Sequence, residues 1–106
     1  MDIQKYPIKI TLHKHGEMIY FSQLDMVRVL ERALRRSGLP VYFTQGFSPR
    51  VKLSFLNGLK LGVEGNLEVV LYFVQEITAD YLKEKLAGQL PEGLTINTFS
   101  STDEHR

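Results

Sequence analysis

The chain contains no cysteine. This absence excludes disulfides, thiolate zinc sites, cysteine nucleophiles and any iron–sulfur cluster ligated by the chain itself. Histidine is scarce as well: His13 and His15 form an H-x-H pair, and the third histidine is His105. Two histidines supply only part of the ligand set that a metal ion needs, and no further ligand of suitable type lies nearby in sequence. We therefore expect no metal site.

Long apolar runs are also missing. No segment approaches the roughly 20 residues that a membrane helix needs, and residues 1–5 are polar rather than signal-like. Together with the lack of cysteine, this predicts a cytoplasmic protein without a membrane partner. A chain of 106 residues with 43% hydrophobic content has enough apolar material for one core. We therefore predict a single domain at residues 1–99 and a polar, frayed tail at residues 100–106.

Motifs that carry common enzymatic chemistry are absent too. The glycines at 58, 62 and 65 lack the spacing of a dinucleotide-binding or P-loop motif, and no serine lies in a G-x-S-x-G context. The aromatic run of an RNA-recognition sheet is missing as well. Asp25 could act as an acid or base, but its place three residues after Ser22 is explained by a helix N-cap. These absences favour a binding protein over an enzyme.

The spacing of the apolar residues predicts an α+β domain. Alternation indicates extended segments at residues 6–13, 41–43, 51–55, 67–74 and 94–99. One helix is expected from the Ser22 cap to about Ser37, and a second from the Thr78 cap to Leu90, just before Pro91. This order matches the ferredoxin-like βαβ(β)βαβ arrangement, in which two helices cover one face of an antiparallel sheet.

The charges are unevenly distributed along the chain, although the net charge is only +1. Residues 22–60 contain seven basic and two acidic side chains, whereas residues 61–106 contain three and eight. Such asymmetry indicates an anionic partner for the basic part. The alternative is that the two parts fold against each other and their charges pair.

The first helix carries much of this positive charge on one side. Helical spacing separates its arginines from an apolar stripe that also includes Ala33. The residues of this stripe that we expect in the core are Met26, Val27, Leu30 and Leu34. Arginine binds phosphate groups through two parallel N–H donors. The arginines on this side of the helix therefore indicate contact with an anionic polymer such as RNA. A less specific interpretation is that Glu31 pairs with Arg35 four residues later.

The loop that follows is the least regular segment. Gly46, Ser48 and Pro49 interrupt any regular pattern in residues 44–50. We expect residues 46–52 to form an ordered, partly exposed loop that makes a functional surface with the first helix. An exposed Phe47 ring could stack a base, with positive charge from Arg50 and Lys52 beside it. Alternatively, Phe47 fills the core. The predicted binding residues are Arg28, Arg32, Arg35, Arg36, Gln45, Gly46, Phe47, Ser48, Arg50 and Lys52.

Several segments resemble a known family. They are Phe21-Ser22-Gln23-Leu24-Asp25, residues 30–40 (LERALRRSGLP), residues 45–55 (QGFSPRVKLSF) and residues 61–64 (LGVE). Together they resemble the radical-SAM-linked proteins, uncharacterised bacterial domains encoded beside or fused to a radical S-adenosylmethionine enzyme with a cobalamin-binding region. The resemblance covers nearly the whole chain, with Gln23 and Arg50 where the family commonly has histidine.

This resemblance implies an accessory domain that presents RNA or a ribosomal component to a separate radical SAM enzyme, because such genes tend to lie beside ribosomal-protein and ribonuclease genes. The iron–sulfur cluster, S-adenosylmethionine and cobalamin would belong to that enzyme. This chain has no cysteine and no D-x-H-x-x-G stretch, so we expect no cofactor in it. Two alternatives stay open: a small enzyme whose site is built by residues 46–52 with Asp25, and a domain that contacts only protein.

Overall fold

The computed structural model describes residues 4–101, and the side chains of residues 4–97. The elements follow in the order β1 (Tyr6–Lys14), a 3-10 helix (Gly16–Tyr20), α1 (Gln23–Ser37), β2 (Leu53–Phe55), β3 (Gly65–Phe73), α2 (Ala79–Ala87) and β4 (Leu94–Ser101). The strands form one antiparallel sheet in the order β2-β3-β1-β4. This confirms the predicted α+β class and is compatible with a ferredoxin-like fold.

One face of the sheet forms the core. In β1, residues Ile8, Ile10 and Leu12 are buried and lie opposite Leu71, Val69 and Leu67 of β3. Because successive side chains of a strand point to opposite faces, these residues make one continuous apolar surface. Leu30 of α1 and Leu82 of α2 are fully buried in the same cluster. Both helices therefore pack on the same face, and the other face is left to Lys9, Thr11 and Tyr72.

Local signals fix both ends of α1. The Asp25 backbone N–H donates to Ser22 Oγ at 3.1 Å, and the Ser22 backbone N–H donates to Asp25 Oδ2 at 3.0 Å. This reciprocal capping box, predicted from the sequence, satisfies two donors that the helix start would leave unpaired. Gly38 then takes a left-handed conformation with φ of +80°, which ends the helix.

The apolar stripe of α1 lies largely where the spacing places it. Met26, Leu30 and Leu34 are buried, as predicted. Val27 is only half-buried, whereas Ala33, which the spacing also places on the stripe, is fully buried. The four arginines of α1 are all exposed, which confirms the separation of apolar and charged sides.

The predicted strand at residues 41–43 is wrong as a regular strand. This segment makes only isolated bridges, from Val41 to Phe73 and from Phe43 to Val51. Between them, the Tyr42 backbone N–H donates to Tyr72, and the Tyr42 carbonyl accepts from Lys52. The segment is thus inserted between the end of β3 and residues 51–52, and it is too short for a continuous ladder.

Several boundaries also differ from the prediction, and the strand expected at residues 51–55 covers only Leu53–Phe55. Helix α2 ends at Ala87, and Leu90 packs against the core from the turn beyond it. β3 begins at Gly65, two residues earlier than expected, and ends at Phe73. β4 continues to Ser101, and the rest of the tail predicted at residues 100–106 lies outside the described residues.

Candidate functional site

Glu31 joins the loop to α1. Its side chain is 11% exposed, and both carboxylate oxygens accept hydrogen bonds from Arg50, at 2.8 Å from Nε and 2.6 Å from Nη2. Longer contacts come from the Val51 backbone N–H at 3.3 Å and from Arg35 Nη2 at 3.4 Å. A forked arginine pair has a well-defined geometry, so it fixes the end of the loop against the helix.

The electrostatics of Glu31 follow from these contacts. Hydrogen bonding to Arg50 lowers the pKa of Glu31 to about 2, although burial acts in the opposite direction. The same pair raises the pKa of Arg50. The carboxylate is therefore ionised at neutral pH, and the forked donors of Arg50 are already occupied. The positive charge that Arg50 was expected to bring beside Phe47 is therefore paired with Glu31.

The loop is closed by Thr44 and Arg50 and projects between them. The Thr44 backbone N–H donates to the Arg50 carbonyl at 2.8 Å, and the Arg50 backbone N–H donates to Thr44 Oγ1 at 3.0 Å. Gly46 has φ of +127°, a conformation that side chains disfavour. Phe47 is fully exposed, so the alternative in which it fills the core is wrong. Ser48 is exposed as well.

Lys52 lies on a different surface from the arginines. Its neighbour Val51 is buried in the core, and Lys52 Nζ lies 5.1 Å from the centroid of the Tyr72 ring. Tyr72 belongs to the sheet face that the helices leave uncovered. Tyr42 lies beside it, with Lys5 Nζ 5.5 Å from its ring centroid. The structure therefore separates Lys52 from the α1 arginines, and it adds a second tyrosine that the strand pattern did not predict.

The α1 arginines differ in their partners. Arg35 lies 5.0 Å from the Phe43 ring centroid as well as near Glu31, which confirms the predicted Glu31–Arg35 pair. Arg36 donates to Gln89 twice, to the side-chain oxygen and to the backbone carbonyl, both at 3.1 Å. Among the residues with described side chains, Arg28 and Arg32 form no hydrogen bond or ion pair. No carboxylate in the described part of the chain forms an ion pair with Arg28, Arg32 or Arg36, although the charge of Arg28 contributes to the lowered pKa of Asp25 one turn earlier.

The ion pairs also bear on the alternative in which the basic and acidic parts neutralise each other. Within residues 22–60, the described pairs all use Glu31. In the acidic part, Glu64 pairs with His13 and Glu68 with Lys9, both from the start of the chain. Across the part of the chain with described side chains, no ion pair links residues 22–60 to residues 61–106. Internal pairing between the two parts is therefore not observed there.

Depressions in the surface lie on both sides of Arg32. A shallow one of about 200 Å³ is lined by Arg28, Glu31, Arg32 and Arg35. A larger one of about 460 Å³ lies between α1 and the turn after α2, and its lining includes Phe21, Val29, Arg32, Arg36, Leu90 and Pro91. The exposed side of α1 thus borders a depression lined by charged residues on one flank and a mixed apolar and cationic groove on the other.

The histidine pair has a structural arrangement of its own. The rings of His13 and His15 stack with centroids 5.3 Å apart. Both ring nitrogens of His13 face acceptors at 3.0 Å, Nδ1 toward Asn66 Oδ1 and Nε2 toward Glu64 Oε2. These contacts, the Asn66 contact first, raise the pKa of His13. No group of three or more potential metal-binding side chains occurs in the described part of the chain.

Asp25, proposed above as an acid or base in the enzyme alternative, is exposed. Its pKa is lowered, first by the hydrogen bond from the Ser22 backbone N–H. It also lies six residues before Glu31, about 9 Å along the helix axis from the point where the loop is anchored. The structure therefore places Asp25 in a capping role away from that anchor.

No helix in the described residues has the length and apolar character needed to span a lipid bilayer.

A protein-family model matches residues 7–106, and its description reads "Uncharacterized protein conserved in bacteria (DUF2344)". The match includes α1, the loop and all four strands. A search of curated proteins gives no match. A search of solved structures gives none either.

Proposed function

The chain belongs to this bacterial family, DUF2344, and from its geometry we propose that it is a non-catalytic binding module that holds RNA along the exposed side of α1. The binding residues in this proposal are the α1 arginines and the ring of Phe47. The chemistry would be supplied by a separate enzyme.

The observation that carries the proposal is the positive charge of those α1 arginines that form no ion pair with a described side chain. Arg28 and Arg32 are exposed, and in the described part of the chain neither forms an ion pair. Among the described side chains, Arg36 donates hydrogen bonds to the neutral amide and the carbonyl of Gln89 and to no carboxylate. Arginine binds phosphate oxygens through parallel donors, and each phosphate that is neutralised releases counterions. This row of cations therefore supports an anionic polymer as the ligand.

Exposed rings near these arginines favour RNA over an acidic peptide. Phe47 is fully exposed, and Phe43 is 36% exposed beneath Arg35. The Glu31–Arg50 pair anchors the loop that bears Phe47 to the same helix. Stacking of a base on an exposed aromatic ring contributes about 1–3 kcal/mol and suits any base, because each base has a flat π face. An acidic peptide would use the arginines but would gain less from the rings.

The resemblance to radical-SAM-linked proteins supports the choice of partner. In this proposal the domain presents RNA, free or within a ribosomal component, to a radical SAM enzyme that carries the iron–sulfur cluster, S-adenosylmethionine and cobalamin. Co-elution of the domain with a radical SAM enzyme of the same bacterium in size-exclusion chromatography tests that partner. Separate elution at concentrations well above those of the cell would contradict it.

RNA binding is tested by fluorescence anisotropy with a labelled single-stranded RNA. Binding should be measurable at about 50 mM salt and should weaken as salt rises, with each phosphate contact contributing about 0.7 to the slope of log K against log salt. Replacing Arg28 and Arg32 together by glutamine should reduce both the affinity and the slope. Lys83→Gln, on the exposed side of α2, is the matched control and should change neither.

Two results would overturn the proposal. The first is the absence of binding by the wild-type domain at about 50 mM salt, where phosphate contacts are strong. The second is equal binding by the Arg28→Gln, Arg32→Gln variant and the Lys83→Gln control. If an acidic peptide of equal charge binds more tightly than RNA, the domain is a protein-binding module instead.

A further inference from the structure

We propose that the groove between α1 and the turn after α2 binds one nucleotide of the RNA strand, with its phosphate at Arg32 and Arg36 and its base on the apolar floor. This inference rests on the proposed function and deepens it, because it names the place where a single nucleotide is held. We call this feature the α1–turn groove; its lining includes Phe21, Val29, Arg32, Arg36, Leu90 and Pro91.

The size and floor of the α1–turn groove suit a nucleotide. Its volume is about 460 Å³, within the range of roughly 300–1,000 Å³ found for small-ligand sites. Val29 and Leu90 are partly buried and pack against the core, so the floor is held in place by the fold. Phe21 is 37% exposed and offers a ring at the margin of the groove. A flat base can therefore cover apolar surface here and contact an aromatic edge or face.

At the cationic end of the groove, two guanidinium groups are positioned to bind an anion. Arg36 uses Nε and one hydrogen of Nη2 to contact the two oxygens of Gln89. A guanidinium has five N–H donors, so three remain for a ligand while the group is held in a fixed orientation. Arg32 lies four residues earlier, one turn away on the same side of the helix, at a Cβ separation of about 5–6 Å. Two guanidinium groups at this spacing can grip the same phosphate.

The surroundings of the groove favour a nucleotide within a strand over a free one. A second depression of about 590 Å³ shares Phe21 with the α1–turn groove, but the exposed carboxylates of Glu17 and Glu92 line it and repel phosphate. On the other side of Arg32 lies the shallow depression bordered by Arg28. A strand held in the groove can therefore continue past Arg32 toward Arg28, whose charge attracts the next phosphate. A free nucleotide would gain nothing from this continuation.

The test uses the full chain labelled with ¹⁵N and a single-stranded RNA of about eight nucleotides, a length that one small domain can cover. The parallel ligands are a nucleoside 5′-monophosphate, an abasic ribose-phosphate oligomer of the same length, and an acidic peptide. The RNA should shift the amide signals of Gln89 and Leu90 and the Nε signal of Arg36. The monophosphate and the abasic oligomer should bind more weakly than the RNA.

A pair of glutamine variants isolates the role of the positioned arginine. Gln89→Ala removes one of the two oxygens that orient Arg36 and should weaken RNA binding by roughly 2- to 10-fold, the effect of one lost hydrogen bond. Gln75→Ala, in the exposed bend after β3, should leave the affinity unchanged. Unaltered unfolding curves for both variants would ensure that the difference reflects positioning and not folding.

The possible outcomes separate this inference from the proposed function. If the RNA binds but the groove signals do not shift, or the abasic oligomer binds equally well, the groove assignment fails and RNA binding by α1 stands. Equal binding of the monophosphate, or an equal effect of the acidic peptide at the groove, would also overturn it. If the RNA does not bind at all, the proposed function fails and the inference fails with it.

Discussion

Replacing Glu31 by glutamine removes the charge that anchors the loop to α1 and leaves the side-chain shape nearly unchanged. The pKa of Glu31 is lowered from 4.5 to about 2 by Arg50. A difference of about 2.5 pKa units corresponds to about 3 kcal/mol of stabilisation at neutral pH. Because the Arg50 side chain is 55% exposed, solvent screening reduces this value. We expect Glu31→Gln to lower the free energy of unfolding by about 2 kcal/mol.

The pH dependence gives a stricter test of the same reasoning. The folded-state pKa of Glu31 lies below its unfolded value, so the stabilisation is fully present above about pH 4.5 and is lost as the pH falls toward 2. Urea unfolding followed by far-UV circular dichroism should therefore give a lower free energy of unfolding for Glu31→Gln than for wild type at neutral pH. This difference in unfolding free energy should disappear in acid.

Two comparisons make this prediction refutable. Glu84→Gln, an exposed change on α2, should alter the unfolding free energy by less than about 0.5 kcal/mol. Combining Glu31→Gln with Arg50→Gln should cost clearly less than the sum of the single changes, because both remove the same pair. The reasoning would be refuted if Glu31→Gln were as stable as wild type at neutral pH. It would also be refuted if the difference in unfolding free energy persisted near pH 2.

The remaining predictions concern the loop, a tight turn and a histidine. Phe47→Ala should leave the unfolding free energy within about 0.5 kcal/mol of wild type, because the ring is fully exposed, while weakening RNA binding in the anisotropy assay; a large loss of stability would contradict it. Gly93→Ala should destabilise the fold by about 1–3 kcal/mol in urea unfolding, since φ is +95° and the new Cβ would lie 2.8 Å from the His15 carbonyl oxygen; an unchanged midpoint would contradict it. His13 should titrate above pH 6.5 in NMR, and Asn66→Ala should move its pKa back toward that value, since Asn66 provides the largest of the contacts that raise it.

The parts of the fold that were predicted correctly depend on local sequence. The Ser22–Asp25 capping box, the stop at Gly38 and the buried Leu30 and Leu34 all follow from residues within a few positions of one another. The segment at residues 41–43 has an equally extended pattern, but whether it forms a strand depends on how β3 and residues 51–52 meet it. That pairing is tertiary, and the local pattern does not contain it.

The candidate site was harder to predict, because its central contact joins residues far apart in sequence. Glu31 and Arg50 are 19 positions apart, and no spacing rule connects them. One signal was available: Glu31 lies next to Leu30 and one turn from Leu34, at the edge of the apolar stripe. A carboxylate at such a position is partly buried and needs a cationic partner, so an arginine from another segment could have been expected there.

The position of Glu31 also decides where the free positive charge lies. Glu31 pairs with Arg50 and contacts Arg35. Among the described side chains, the arginines of α1 that form no ion pair are therefore Arg28, Arg32 and Arg36. In the proposed RNA complex the loop therefore contributes the ring of Phe47, and the helix contributes the phosphate contacts.

This division predicts opposite effects for two arginine variants. Arg50→Gln should lower the free energy of unfolding, because it leaves Glu31 partly buried without its main partner, but it should not change the salt slope of RNA binding. Arg32→Gln should leave stability within about 0.5 kcal/mol of wild type and should reduce the salt slope by about 0.7. Urea unfolding and anisotropy across a range of salt concentrations measure both quantities for each variant. If Arg50→Gln reduces the slope as much as Arg32→Gln does, Arg50 leaves Glu31 to bind phosphate, and the division of roles between loop and helix is wrong.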